Sequence, residues 1–120
     1  MKSIVTVFVF FLALSFSFGQ ELATVKSKSE LTAIKRTGEG SIILPANLTN
    51  DLVQSKAKYY AHYFSIDFNE KSKEAKFTMV ENTEKSRAVI VRFLAACDVT
   101  EIDVEGTIVK RDDLFVNYLK

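Results

Sequence analysis

The chain holds one thiol, Cys97, and one imidazole, His62, the first residues to weigh for nucleophilic, redox or general-base chemistry. A reactive thiol needs a base and a partly exposed, electropositive setting. Cys97 falls instead on one apolar arc with Val89, Ile90, Phe93 and Leu94, which favours a buried structural thiol. His62 lies at the flank of a tyrosine-lined stripe with no partner specified by spacing, and reads as a surface or boundary histidine. Glu101, Asp103 and Glu105 alternate along one strand face and, with Asp112 and Asp113, offer oxygen ligands of the kind a hard cation takes. Their spacing fits no calcium loop, and a solvated strand face is the usual meaning of such alternation. No motif that positions a nucleophile or cradles a phosphate occurs. The sequence therefore assigns no catalytic, cofactor-binding or metal-binding residue, and the chain reads as not an enzyme.

Aromatic and charged clusters have equally plain readings. Tyr59, Tyr60 and Tyr63 with Phe64 form the densest aromatic group after residue 20. Aromatics favour binding surfaces as well as cores, and the helical spacing puts Tyr59 and Tyr63 inside and Tyr60 toward solvent. Lys56 intrudes on that stripe, with its stem buried and its ammonium outside. Lys71, Lys73 and Lys76 interleave with Glu70 and Glu74 as a self-neutralising, solvated turn. Asn47-Leu48-Thr49 matches a glycosylation acceptor pattern, which would carry no meaning if the chain were bacterial.

The elements that must position these residues follow from hydrophobic period. Leu48, Leu52, Tyr59 and Tyr63 recur at 3.6-residue spacing, so a helix is expected over 48–63, capped by Asn47 or by Thr49. The period then changes to two: Phe64, Ile66 and Phe68, then Ala75, Phe77 and Met79, form the apolar face of a strand pair turning at residues 70–74. Glu81-Asn82-Thr83-Glu84 is a helix start, and the spacing predicts a helix over 84–97 in preference to a strand around Val89-Ile90-Val91. Thr100–Val104 alternates again, Glu105-Gly106 is a tight turn, and Thr107-Ile108-Val109 returns as a short strand. Asp112 can cap a last short helix that docks Leu119. Before all this, Ser41–Leu44 is a short buried strand stopped by Pro45, and Glu21–Thr37 is a polar lead-in with at most one edge strand around Leu31–Lys35.

The front of the chain is a different material. Five of the ten phenylalanines lie in the first twenty of 120 residues, where Lys2 precedes an unbroken apolar run from Ile4 to Leu14 and a Ser17-Phe18-Gly19 ending. That pattern is a secretory signal peptide over residues 1–19, cleaved before Gln20. Its removal takes away Lys2 alone and leaves basic and acidic side chains balanced, from 16 and 15 in the whole chain. Such a balance points to no nucleic acid and to no membrane contact beyond the signal peptide. The expected product is exported, periplasmic or secreted, with one domain over residues 38–120. With no second cysteine to pair, its stability rests on apolar packing rather than on a disulfide.

Strand, helix, strand, strand, helix, strand is the order from Ser41 to Val104, with a small hairpin and helix appended. It predicts an α+β ferredoxin-like βαββαβ sandwich, two helices on one face of an antiparallel sheet. In element order alone this resembles small domains of the heavy-metal-associated type, which carry two cysteines, two residues apart, in the loop after the first strand. Here that loop is Pro45-Ala46-Asn47-Leu48-Thr49-Asn50 and has none. The signal ending Phe18-Gly19-Gln20 is similar to those of small exported proteins of the Bacteroidetes. The expectation is a non-catalytic binding or interaction module for an unspecified protein or small ligand, without cofactor. The alternative is a heavy-metal-associated-like domain that handles a metal through carboxylates or through Cys97 and His62. Mass spectrometry of the exported protein should place its N-terminus at or within a few residues of Gln20; an intact Met1 in a membrane fraction defeats the export reading.

Overall fold

A computed structural model describes residues 22–120; the signal peptide expected over 1–19 lies outside the described residues. The polar lead-in carries two elements. Strand β1, Leu22–Val25, buries Ala23 and Val25. It runs into helix α1, Lys28–Thr37, where the sequence reading placed an edge strand. Ser27 caps α1 by accepting from the Ser29 amide at 3.2 Å, and the Glu105 carboxylate accepts from the Lys28 amide at 2.8 Å, an anion at the positive end of the helix. Leu31 and Ile34, three residues apart, are its buried pair. The helix ends at Gly38, which takes φ +82° and donates its N–H to the Ile34 carbonyl. With only two buried apolar side chains, α1 has a weak period that is easily read as strand.

Strand β2, Glu39–Ile43, follows at once, and α1 rests on its backbone. A Cβ at Gly40 would run into the Glu30 carbonyl and the Ile34 side chain. Glycine here allows close approach of helix to strand. Thr49 caps the next helix, α2, Asn50–Ala57, by accepting from the Leu52 amide at 3.2 Å; Asn47 does not. The helix is shorter than the expected 48–63 and tightens to a 3-10 turn over Lys58–Tyr60. The inward stripe is Val53, Ala57 and Tyr60, one residue out of phase with the expected one: Tyr59 is 72% exposed and Leu52 38% exposed, whereas Tyr60 packs against the core, so the expectation fails for Leu52 and is inverted for Tyr59 and Tyr60. Leu48, Val53 and Ala57 are the residues buried from this segment.

Strands β3, Phe64–Asn69, and β4, Glu74–Met79, pair antiparallel as the alternation requires. Their turn is not the free solvated loop expected. The Glu70 carboxylate accepts from the Asn50 amide at 2.6 Å and the Lys73 ammonium donates to the Leu48 carbonyl at 2.7 Å, so the turn closes over the start of α2. Lys73 holds φ +63° to do so. Helix α3, Glu84–Ala96, capped by Thr83, takes the stretch for which a strand was the rival. Strands β5, Glu101–Val104, and β6, Thr107–Lys110, form the last hairpin about Glu105-Gly106. Helix α4, Arg111–Leu114, widens into a π turn over Phe115–Leu119; Lys110, not Asp112, occupies its cap position, with no side-chain cap.

The six strands form one sheet in the order β3-β4-β2-β1-β5-β6, with β1 and β5 the one parallel pair. The class is α+β. The four strands read from sequence keep the spatial order β3-β4-β2-β5, with β1 standing between the last two, and the hairpin expected as an appendage extends the same sheet. Residues facing one side, such as Ala23, Ile42, Ala75, Phe77 and Ile102, are buried under the helices. The other side carries Lys76, Thr78 and Glu101 and is open to solvent.

At the centre Phe64, Phe77 and Phe93 meet in edge-to-face pairs at 5.3–6.1 Å between rings, with Tyr60 at 6.1 Å from Phe64 and 6.2 Å from Phe93. Phe77→Ala should cost about 3–5 kcal/mol in denaturant unfolding and Gly40→Ala about 1–3 kcal/mol, against a few tenths for exposed Lys71→Ala. Equal losses at all three would mean that the buried face is assigned wrongly.

Candidate functional site

Cys97 follows the last turn of α3 and is buried. Burial pushes its thiol up from 9.0 to about 11; nearby Lys56 works in the opposite direction and Asp98 in the same direction. It is a protonated, inaccessible thiol at neutral pH. His62 is exposed in the turn between Tyr60 and β3, far in sequence and in role from Cys97. The structure does not bring the two together as a metal or catalytic pair: among the described residues no three His, Cys, Asp or Glu side chains gather as a metal site.

The carboxylates considered as a cation site go to separate tasks. Glu105 sits at the N-terminus of α1, and Asp103 accepts from the Gly106 amide at 2.7 Å, closing the β5–β6 turn. Asp112 pairs with Arg111 at 3.3 Å, and Asp113 is exposed. Only Glu101 and Asp112 share a surface depression, of about 270 Å³, and there they face Lys110 and Arg111. Mixed charge of this kind neutralises itself. It is no cage for a cation, which needs converging oxygens free of competing cations.

A residue that the sequence reading passed over turns out to be the most buried charge described. Arg87, on α3, is 9% exposed and donates from Nε to the Leu119 carbonyl at 2.7 Å and from Nη1 to Asn82 Oδ1 at 2.7 Å. Asn82 in turn donates to the Lys35 carbonyl at 2.8 Å. The guanidinium thus serves a carbonyl of the C-terminal turn directly and, through Asn82, holds the amide that serves one at the end of α1, a negative dipole end in both cases. No periodicity argument marks it, because an arginine on the border of an apolar arc is usually a solvated one.

Unpaired backbone groups lie at the edge of the sheet, where β3 is the last strand. Val80 donates its N–H to the Tyr63 carbonyl at 3.0 Å, which fixes the phase of the β3–β4 ladder. By alternation the backbone groups of Ser65 and Asp67 turn toward β4, and those of Phe64, Ile66 and Phe68 turn toward the open edge. Beside that edge runs a groove of about 220 Å³ whose helical wall presents Gln54, Ala57, Lys58 and Ala61 and whose floor presents Phe64 and Ile66. Exposed strand edges next to a helix-walled groove are where extended segments add as an extra strand. The sequence reading located β3 and its apolar face but not its place at the edge.

Compared with known proteins, the chain matches no family model, no curated protein and no solved structure. Among the described residues no helix is long and apolar enough to cross a membrane.

Two outcomes test these assignments. Because the folded thiol holds its proton up to about 11 while an unfolded one releases it from about 9.0, the Cys97 contribution to stability is intact below pH 9 and falls as pH rises from 9 to 11. A thiol reagent at neutral pH should therefore react with Cys97 only on unfolding, and Cys97→Ser should flatten the loss between pH 9 and 11. Arg87→Met should cost about 3 kcal/mol by stranding buried acceptors, and Arg87→Lys should recover little of it, since a single ammonium cannot span Leu119 and Asn82. Rapid labelling of the native thiol, or full rescue by lysine, contradicts the respective reading.

Proposed function

We propose that this protein is a small exported module that binds another chain without catalysing a reaction, built on a ferredoxin-like βαββαβ core into which β1 has been inserted. The observation that carries the reading is the open edge of β3, with the amides and carbonyls of Phe64, Ile66 and Phe68 directed outward beside a helix-walled groove. Support also comes from where the reactive side chains are spent. Cys97 is sealed in the core, Glu105 and Glu70 cap helices, and Asp103 closes a turn. A scaffold that uses its polar side chains to lock its own loops presents backbone, shape and a few exposed apolar side chains to a partner.

The core relation is topological. Support for that core is the relative order β3-β4-β2-β5 that remains when β1, which stands between β2 and β5, is set aside as an addition together with α1. The export step follows from Lys2, the apolar run and the Ser17-Phe18-Gly19 ending, with the periplasm or the exterior as destination.

A photo-crosslinking residue at Ser65, on β3, compared with one at Thr32, on the exposed side of α1, tests the reading in cells. Ser65 should give a discrete adduct in the envelope or medium and Thr32 none. Absence of any adduct from Ser65, or equal adducts from both positions, sinks it.

A further inference from the structure

We propose that the partner at this edge is a second copy of the same chain, docked strand to strand about a two-fold axis through Ile66; the inference rests on the interaction-module reading above. The strand's own sequence sets the axis. Phe64-Ser65-Ile66-Asp67-Phe68 reads nearly the same in both directions, and an antiparallel pair related by a two-fold must oppose a strand to its own reverse. With the axis on Ile66, Ile66 faces Ile66 of the second copy and Phe64 faces its Phe68. All of these residues have backbone groups turned to the open edge. The two strands then exchange about six backbone hydrogen bonds. An axis one residue away is disfavoured by overlap and charge: on Ser65 it leaves only Phe64–Ile66 of β3 in the ladder, and on Asp67 it sets two Asp67 carboxylates face to face.

The side chains agree with that register on both faces. On the solvent face Ser65 lies opposite Asp67 of the second copy, twice by symmetry, so that a hydroxyl donates to a carboxylate and no like charges meet. On the helix face, half-buried Ile66 looks into the groove of about 220 Å³, whose helical wall is lowered by Ala57 and Ala61. The second copy's Ile66 fills that groove as this copy's fills the other. Nothing on β3 obstructs the approach: its register with β4 runs unbroken from Phe64 to Asn69, without bulge, proline or lysine. Those are the usual devices that keep an edge from pairing. The opposite edge, β6, is shorter and ends in Lys110. The asymmetry confines pairing to β3 and yields a closed dimer rather than a fibre.

Sedimentation equilibrium of the purified protein tests the proposal, with two exposed-site variants that leave the core untouched. Ser65→Asp sets two carboxylate pairs opposite each other and should weaken the dimer about five- to tenfold, whereas Ser65→Lys creates two opposed ion pairs and should tighten it at low salt. Register is read separately. An equimolar mixture of Ser65→Cys and Asp67→Cys proteins should form a mixed disulfide under mild oxidation far faster than either protein alone, with buried Cys97 as an internal control. A monomer at all concentrations overturns the proposal, as does a dimer indifferent to both Ser65 charges or one that crosslinks as well in the single-variant samples. If the protein is monomeric yet Ser65 still gives an adduct with a different chain in cells, the interaction-module reading stands and the self-pairing falls.

Discussion

Phe64, Phe77 and Phe93 hold this structure together by belonging to three different elements. Phe64 comes from the edge strand β3, Phe77 from β4 beside it, and Phe93 from α3 above, with ring centres within 5.3–6.1 Å of one another. Edge-to-face geometry adds about 0.5–1.5 kcal/mol per pair beyond the burial of the rings. More important is what the trio prevents. An edge strand has neighbours on one side only, and without a ring anchored under α3 it would have the β4 ladder alone to keep it in register. Tyr60, on one helical face with Val53 and Ala57, packs on two of the same rings, Phe64 and Phe93.

Around that core, polar side chains are used as fasteners between segments distant in sequence. Glu105 reaches the start of α1, Glu70 the start of α2, Lys73 the Leu48 carbonyl, and Arg87 with Asn82 ties α1 to the C-terminal turn. Each satisfies a backbone group that a helix end or loop leaves without a partner. Among the described residues no buried side-chain nitrogen or oxygen lacks a hydrogen bond. For a chain with no disulfide to staple it, such contacts take over part of the task of fixing the loops.

Period carried the sequence reading a long way. The β3–β4 pair, the α3 arc of Val89, Ile90, Phe93 and Leu94, the final hairpin and the burial of Cys97 were all legible, because each has enough apolar residues at a clean spacing for burial to dominate. What failed has a common cause. Helix α1 shows just Leu31 and Ile34, α2 turns Val53, Ala57 and Tyr60 inward instead of Leu52 and Tyr59, and the Glu70–Lys73 turn looks solvated until Leu48 and Asn50 are seen beneath it. None of these depends on period; each depends on a neighbour far along the chain. The open edge belongs to the same group, since strand order is a property of the whole sheet.

Strand β1 divides the sheet in a way that concerns its assembly. It meets β5 along its full length, at a separation of 79 residues between Leu22 and Glu101, yet meets β2 through a single bridge, Thr24 to Ile43. One reason is that the Ser41 amide, which would extend that ladder, is bonded instead to the Glu30 carboxylate. The sheet is therefore two three-stranded halves, β3-β4-β2 and β1-β5-β6, sewn along a thin seam by α1 and the shared core. The first half is contiguous in sequence and can close early. The second must wait for the last residues of the chain to find the first described ones, a loop closure that slows folding whatever the final stability.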